Sequence, residues 1–223
     1  MTRALSSLFL FAVIVTSKSA AESPTVEIPA AFEGVFQSIA GDVRTPGGLR
    51  NVGQPEDLTP LQGVSRSEAD DIGDPERRCE PIGPFRMMAR EGVKIELVQA
   101  PALGTLMVLF EDVARGYFRT IHFKPDNRTV PEPTWQGYST GRIDGSTLIV
   151  ETTGLNEKTW LDSNGTLHSD KLRLVEQIRP IDRGQYLEYR ITADDPQVLA
   201  KPHTYIRYFE RSAGEIGEHV CTV

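Results

Sequence analysis

An isolated carboxylate on an aliphatic strand face is the first place to look for chemistry in this chain. Residues two apart in a strand share a face, so Leu172, Leu174, Glu176 and Ile178 point one way. Lys171, Arg173, Gln177 and Arg179 point the other way, with Val175 among them. A buried Glu176 then needs a cationic partner or a raised pKa. Arg119 shares parity with Ile121 and Phe123, and Arg207 shares it with Tyr205 and Phe209. The bland reading is an ion pair that sets strand register. The sharper one is a ligand-anchoring or acid/base site inside a cavity.

His168 lies in Asn164-Gly165-Thr166-Leu167-His168-Ser169-Asp170, a turn opening into the Glu176 strand. Asp162, Asp170 or Glu151 is expected to orient its ring and tune its proton affinity; the alternative is a loop histidine bonded to backbone. His168 and Glu176 are thus the candidate catalytic pair. Arg119, Arg128 or Arg207 would steady developing negative charge. His122, on the Phe118 face, is a weaker candidate. Ser139, in Gly137-Tyr138-Ser139-Thr140-Gly141, matches the G-x-S-x-G of a nucleophile elbow. That motif needs a strand–turn–helix setting, and strands follow here. Trp135 and Trp160 flank this region and either line a pocket or plug a barrel end. The candidate substrate-binding set is therefore Arg119, Arg128, Trp135, Ser139, Trp160 and Arg207. Neither a CxxC, HxxxH or HExxH spacing nor a dinucleotide fingerprint or P-loop occurs, so no metal or cofactor is expected.

The elements that must hold these residues begin near residue 93. Lys94–Gln99, Thr105–Phe110, Phe118–Phe123, Thr147–Thr153, Leu172–Arg179, Tyr186–Thr192 and Thr204–Glu210 read as strands bounded by Gly, Pro, Asp or Asn. Without long helices between them they predict a mainly β fold, an antiparallel meander closed into a barrel over 93–223. A sandwich is the alternative. Residues 22–92 carry eight prolines and nine glycines, which break regular structure, and read as an irregular extension. Short helices are expected there at Pro29–Ala40, from Phe32, Val35, Phe36 and Ile39, and from Thr59-Pro60 through Asp71.

Residues 1–21 read as a secretory signal peptide: Arg3, an apolar Ala4–Thr16, then small residues at Ser19-Ala20-Ala21. The run is short for a bilayer span, which takes about 20 residues; an N-terminal anchor or buried helix is the alternative. Cleavage near Glu22 leaves 22 basic and 31 acidic residues. This acidity excludes a general nucleic-acid binder, which needs a basic face. A periplasmic or secreted protein with no stable membrane insertion is expected. Export gives Cys79 and Cys221, the only cysteines, a setting in which they can pair. Two buried free thiols or one reactive thiol are the alternatives.

From Cys79 to Cys221 the chain resembles a family of exported bacterial proteins. The family pattern reads C-x-P-x-G-x-P-R, R-x-I-x-x-D-G-R-x-x-P, W-x-G-x-S-x-G-x-W-E-G-D-T-L, G-x-x-H-S and E-x-x-R, then D-P and a final E-x-x-C. This chain supplies Cys79, Pro81, Gly83 and Arg86, then Arg119, Ile121, Asp126, Arg128 and Pro131. It continues with Trp135, Gly137, Ser139, Gly141, Gly145, Thr147 and Leu148. Trp160, Asp162, Gly165, His168, Ser169, Glu176, Arg179, Asp195, Pro196, Glu218 and Cys221 complete the match. The resemblance implies a lipocalin-like barrel and a shared set of Arg, Glu, His and Trp positions. Ile143, Asp144 and Ser146 stand where the family has Trp, Glu and Asp. Asn127 replaces Gly, Leu199 replaces Tyr and His203 replaces Trp, so a different ligand fit is expected.

Two functions fit these residues. One is a cofactor-independent lyase, isomerase or hydrolytic enzyme working by proton transfer on a small aromatic or lipophilic molecule. The other is a non-catalytic carrier in which the same charges anchor a ligand. A structural envelope protein is third.

Overall fold

The computed structural model describes residues 27–40, 48–64, 73–111, 117–124, 132–217 and 221. The signal-like segment, Arg128 and Asp126 lie outside the described residues. Nine strands close into a barrel in chain order. They are β1 (Gly34–Ser38), β2 (Lys94–Ala100), β3 (Thr105–Glu111), β4 (Tyr117–His122), β5 (Tyr138–Asp144), β6 (Thr147–Thr153), β7 (Arg173–Ile181), β8 (Tyr186–Asp194) and β9 (His203–Arg211). The one described α-helix, α1 (Pro84–Met87), is a single turn.

The expected closed barrel is present, and it is mixed, not wholly antiparallel. β4 and β5 run parallel, paired at Ile121–Ser139 and His122–Thr140, while every other neighbouring pair is antiparallel. A parallel pair requires the chain to cross back between its strands. Gly141 permits the junction: a Cβ there would lie 2.6 Å from Ile121 Cγ2.

The seven strands read from alternation all form, with ends shifted by at most two residues. The helix expected over Pro29–Ala40 does not. A 3-10 turn spans Ala30–Phe32, and Gly34, at φ +117°, then turns the chain into β1. There Phe36 pairs with Ile95 on one side and Arg211 on the other, which closes the barrel. Two new ladders outweigh a weak local helical preference. The extension thus contributes a barrel strand. The helix expected to start at Thr59-Pro60 is also absent over its described part. Pro60 bridges to Leu199, and Leu61 N–H donates to the Val198 carbonyl; its remainder lies outside the described residues.

Inward positions follow the parity expected from sequence. Leu174 and Ile178 are buried on β7, with Leu97, Val108, Ile121, Val150, Ile191 and Phe209 from the other strands. Fully burying each such side chain contributes about 1.5–3 kcal/mol. The extension also lies against the edge of β9, where Ile39 N–H donates to the Tyr208 carbonyl. Val52 bridges to Ile206, and the extension is tied to the C-terminal tail by a Cys79–Cys221 disulfide with a Cα–Cα distance of 5.9 Å. Among the described residues no helix is long and apolar enough to cross a membrane.

Candidate functional site

Glu176 points into the barrel and is completely buried. Val150 and Ile191 flank it on the neighbouring strands. Arg119 reaches it from β4 with two parallel hydrogen bonds: Nη1 donates to Oε1 at 2.7 Å, and Nη2 donates to Oε2. This fork geometry is the strong form of an arginine–carboxylate contact. Burial alone would weaken the Arg119 charge, but the field and hydrogen bonds of Glu176 outweigh it and hold the guanidinium more firmly protonated.

The third member of this cluster, Tyr189, escaped the sequence reading. It shares parity with Leu187 and Ile191 on β8 and is 1% exposed. Burial first, then the nearby Glu176 carboxylate, push its phenol well above the usual tyrosine range, so the hydroxyl stays protonated. Both Glu176 and Arg119 act on it electrostatically. The phenol lies near enough to Glu176 and Arg119 for a weak hydrogen-bonding influence on each. Neither its hydroxyl nor Arg119 Nε meets a described partner at full hydrogen-bond distance and angle. The signal available in sequence was a phenol on an otherwise aliphatic inward face.

Arg207 is inward and buried but does not pair with Glu176. Its Nη1 donates to the carbonyls of Gly53 at 2.8 Å and Ile206 at 3.0 Å, and Nε donates to Ala89 at 3.3 Å. Nη2 donates to Gln54 Oε1, and the guanidinium sits 4.6 Å from the Tyr205 ring centre. Arg207 therefore clamps the extension to β9. The Tyr205 hydroxyl does the same by donating to the Phe85 carbonyl.

His168 belongs to a separate network in the loop between β6 and β7. Its Nδ1 is 3.0 Å from the Ser169 carbonyl and its Nε2 2.7 Å from Thr159 Oγ1. A carbonyl can only accept, so the proton sits on Nδ1 and Nε2 accepts from the threonine. Burial lowers the His168 pKa against the opposing pulls of the Ser169 carbonyl, Asp195 and Glu157. None of the three carboxylates expected to orient the ring does so by hydrogen bond. Asp162 caps the turn through Asn164, Thr166 N–H and Thr166 Oγ1, Asp170 pairs with Lys171, and Glu151 with Arg173. Asp195 instead receives the Ser169 N–H and hydroxyl. No described hydrogen bond joins His168 to Glu176.

Ser139 lies mid-barrel on β5, bonded to Thr152 Oγ1 at 2.8 Å, with no turn into a helix. Trp160 is buried with Arg86 5.8 Å from its ring centre, and Arg86 is forked onto Asp74 with two 2.7 Å bonds. That pair borders an open cleft of about 260 Å³ lined by Gln54, Glu56, Glu76, Arg86, Arg90 and Ser163. Trp135 is partly exposed with Lys158 5.8 Å away, beside a shallow cleft of about 390 Å³. The structure thus brings together Glu176 and Arg119, and places Ser139, Trp135 and Arg207 apart from them; His168 and Trp160 share one loop, where Trp160 bridges to Leu167. Among the described residues no group of His, Cys, Asp and Glu is arranged to hold a metal.

No family model and no curated protein matches the chain. Among solved structures, the chain is similar to one titled REP1-NXSQ fatty acid transporter, at 9% identity and a TM-score of 0.43, covering 84% of this chain and 100% of that one. It is also similar to secretory abundant heat soluble protein 4 from Ramazzottius varieornatus, at 12% identity and a TM-score of 0.38, covering 84% of this chain and 99% of that one.

Proposed function

We propose that this protein is a non-catalytic small-molecule binder, exported as a mature chain beginning near Glu22. Its barrel surrounds the apolar part of a lipophilic ligand, and the Arg119–Glu176–Tyr189 cluster fixes the ligand's polar end. The observation that carries this reading is a fully buried ion pair beside a tyrosine, in which the Tyr189 hydroxyl and Arg119 Nε meet no described partner at full hydrogen-bond geometry. A buried polar group without a partner costs about 1–3 kcal/mol, so each calls for an explanation. The acid/base alternative has less support, because both ring nitrogens of His168 are engaged away from Glu176. Ser139 likewise has no described histidine partner to activate it.

The test is a thermal-shift and native mass spectrometry screen of small aromatic and lipophilic compounds. A true ligand at a hundred times its dissociation constant adds about 2.7 kcal/mol of stability. Stoichiometric retention of such a compound, lost on Tyr189→Phe or Arg119→Lys, is expected. A panel in which nothing is retained and nothing shifts the melting temperature would overturn the binder reading.

A further inference from the structure

We propose that Asn164 is a site of spontaneous deamidation, and that its conversion loosens the turn that carries His168. The asparagines of the chain are Asn51, Asn127, Asn156 and Asn164, and only Asn164 precedes a glycine. Asn127 lies outside the described residues. Asn51 is held at both ends of its amide. Its Nδ2 donates to the Ile39 carbonyl at 2.8 Å, and its Oδ1 accepts from Tyr208 N–H at 3.0 Å. Asn156 Oδ1 accepts from Lys158 N–H at 3.2 Å. The Asn164 side chain is exposed and bonds to no described group.

The next residue supplies the nucleophile. Gly165, at φ +79°, has no side chain to crowd an approach to its nitrogen. On either side of it, Asn164 N–H and Thr166 N–H both donate to Asp162 Oδ1, at 3.1 and 2.8 Å. The Gly165 N–H donates to no described group. Gly165 is buried, so base reaches this N–H only when the turn opens locally. Once deprotonated, the nitrogen attacks Asn164 Cγ. The new C–N bond replaces the Cγ–Nδ2 bond, and the departing nitrogen takes a proton from water and leaves as ammonia. Water then opens the cyclic imide, and nothing is oxidised or reduced. Opening at Cγ gives aspartate. Opening at the backbone carbonyl gives isoaspartate, in which the main chain runs through the former side chain.

The turn has little room for that longer main chain. Ser163, just before Asn164, is tied to Glu56 Oε1 by its N–H at 3.3 Å and its hydroxyl at 2.7 Å. Thr166, just after Gly165, is tied to Asp162 by its N–H and its hydroxyl. An added main-chain carbon between these anchors displaces one of them. The Thr166 carbonyl also accepts from Leu161 N–H, in the segment where Thr159 meets His168 Nε2. Loss of the Thr166 anchor therefore reaches the buried histidine.

The experiment incubates the full mature protein in neutral and mildly alkaline buffer and follows its intact mass, with peptide fragmentation to place any change. A gain of about 1 Da at Asn164 is expected, with isoaspartate among the products. Its rate should rise about tenfold per pH unit, as the deprotonated fraction of the amide does. Asn164→Gln, whose longer side chain disfavours the cyclic imide, should not show the gain. The aged protein should melt below the fresh one. Asn164→Asp adds the charge without lengthening the chain and should melt closer to the fresh protein. A folded protein that gains no mass while the urea-unfolded chain does overturns the site, as does a gain that persists in Asn164→Gln. An aged protein that melts with the fresh one overturns the loosening.

Discussion

Arg119 and Glu176 meet across the barrel interior, 57 residues apart in sequence, by a forked pair of hydrogen bonds from β4 to β7. Both side chains are almost fully removed from water, with 2% and 0% exposure. An ion pair in such a place is costly to desolvate and worth keeping only if its hydrogen bonds are good. It holds together two strands that are not neighbours in the sheet. That makes it a brace as well as an anchor, and the two roles separate by mutation.

Breaking one partner should be far worse than removing both. Arg119→Met with Glu176 intact strands a buried carboxylate and should cost about 3–5 kcal/mol. The double variant Arg119→Met, Glu176→Leu should recover most of that loss. Urea denaturation of the two single variants and the double variant measures it; additive losses would contradict the brace.

His168 should make the protein acid-sensitive. Its folded-state pKa lies below the ordinary histidine value of 6.5, because burial disfavours its charge. As pH falls through about 6.5, the unfolded chain takes up a proton that the folded chain refuses. Stability is then fully present above that value and declines as pH falls toward the lowered folded value. His168→Gln should flatten this slope in melting curves. An unchanged slope would place the acid sensitivity elsewhere.

The Cys79–Cys221 disulfide closes a loop of 142 residues. In the chain-entropy view such a long closure is worth about 5 kcal/mol, reduced by any native strain. Intact mass before and after reduction with alkylation should show one bond in the freshly isolated protein. Reduction should lower the unfolding free energy read from urea denaturation by an amount of that order; two free thiols at the outset would contradict the pairing.

Ser139 should be structural. Its hydroxyl bonds Thr152 inside the barrel, so Ser139→Ala should cost about 1 kcal/mol of stability. The same variant should leave ligand binding unchanged in a calorimetric titration. Loss of binding without loss of stability would move Ser139 into the site.

How much of this was legible in the sequence depends on periodicity. The long alternating strands, β7 above all, announced themselves, and with them the inward direction of Glu176 and Arg119. The two strands that escaped notice are the ones whose local signals mislead. The segment around β1 carries Phe32, Val35, Phe36 and Ile39 at helical spacing, and only distant partners such as Ile95 and Arg211 make its middle a strand. β5 is broken by Gly141, which reads as loop but exists to let β4 approach. Arg207 had the right parity and the wrong partner, because the extension that captures its donors has no periodic signal. Tyr189 was hidden for the opposite reason: a tyrosine on a strand looks ordinary until it proves to sit beside a buried ion pair.

The central claim is that a ligand's polar end is fixed by the Arg119–Glu176–Tyr189 cluster. Nitrogen-15 correlation spectra of the arginine side chains, recorded while a compound retained in the screen is titrated in, test it most directly. The account predicts that the Arg119 Nε–H signal shifts with saturable binding and becomes protected from solvent exchange, while that of Arg207 does not move. Saturable binding that leaves the Arg119 Nε–H signal unmoved would contradict it.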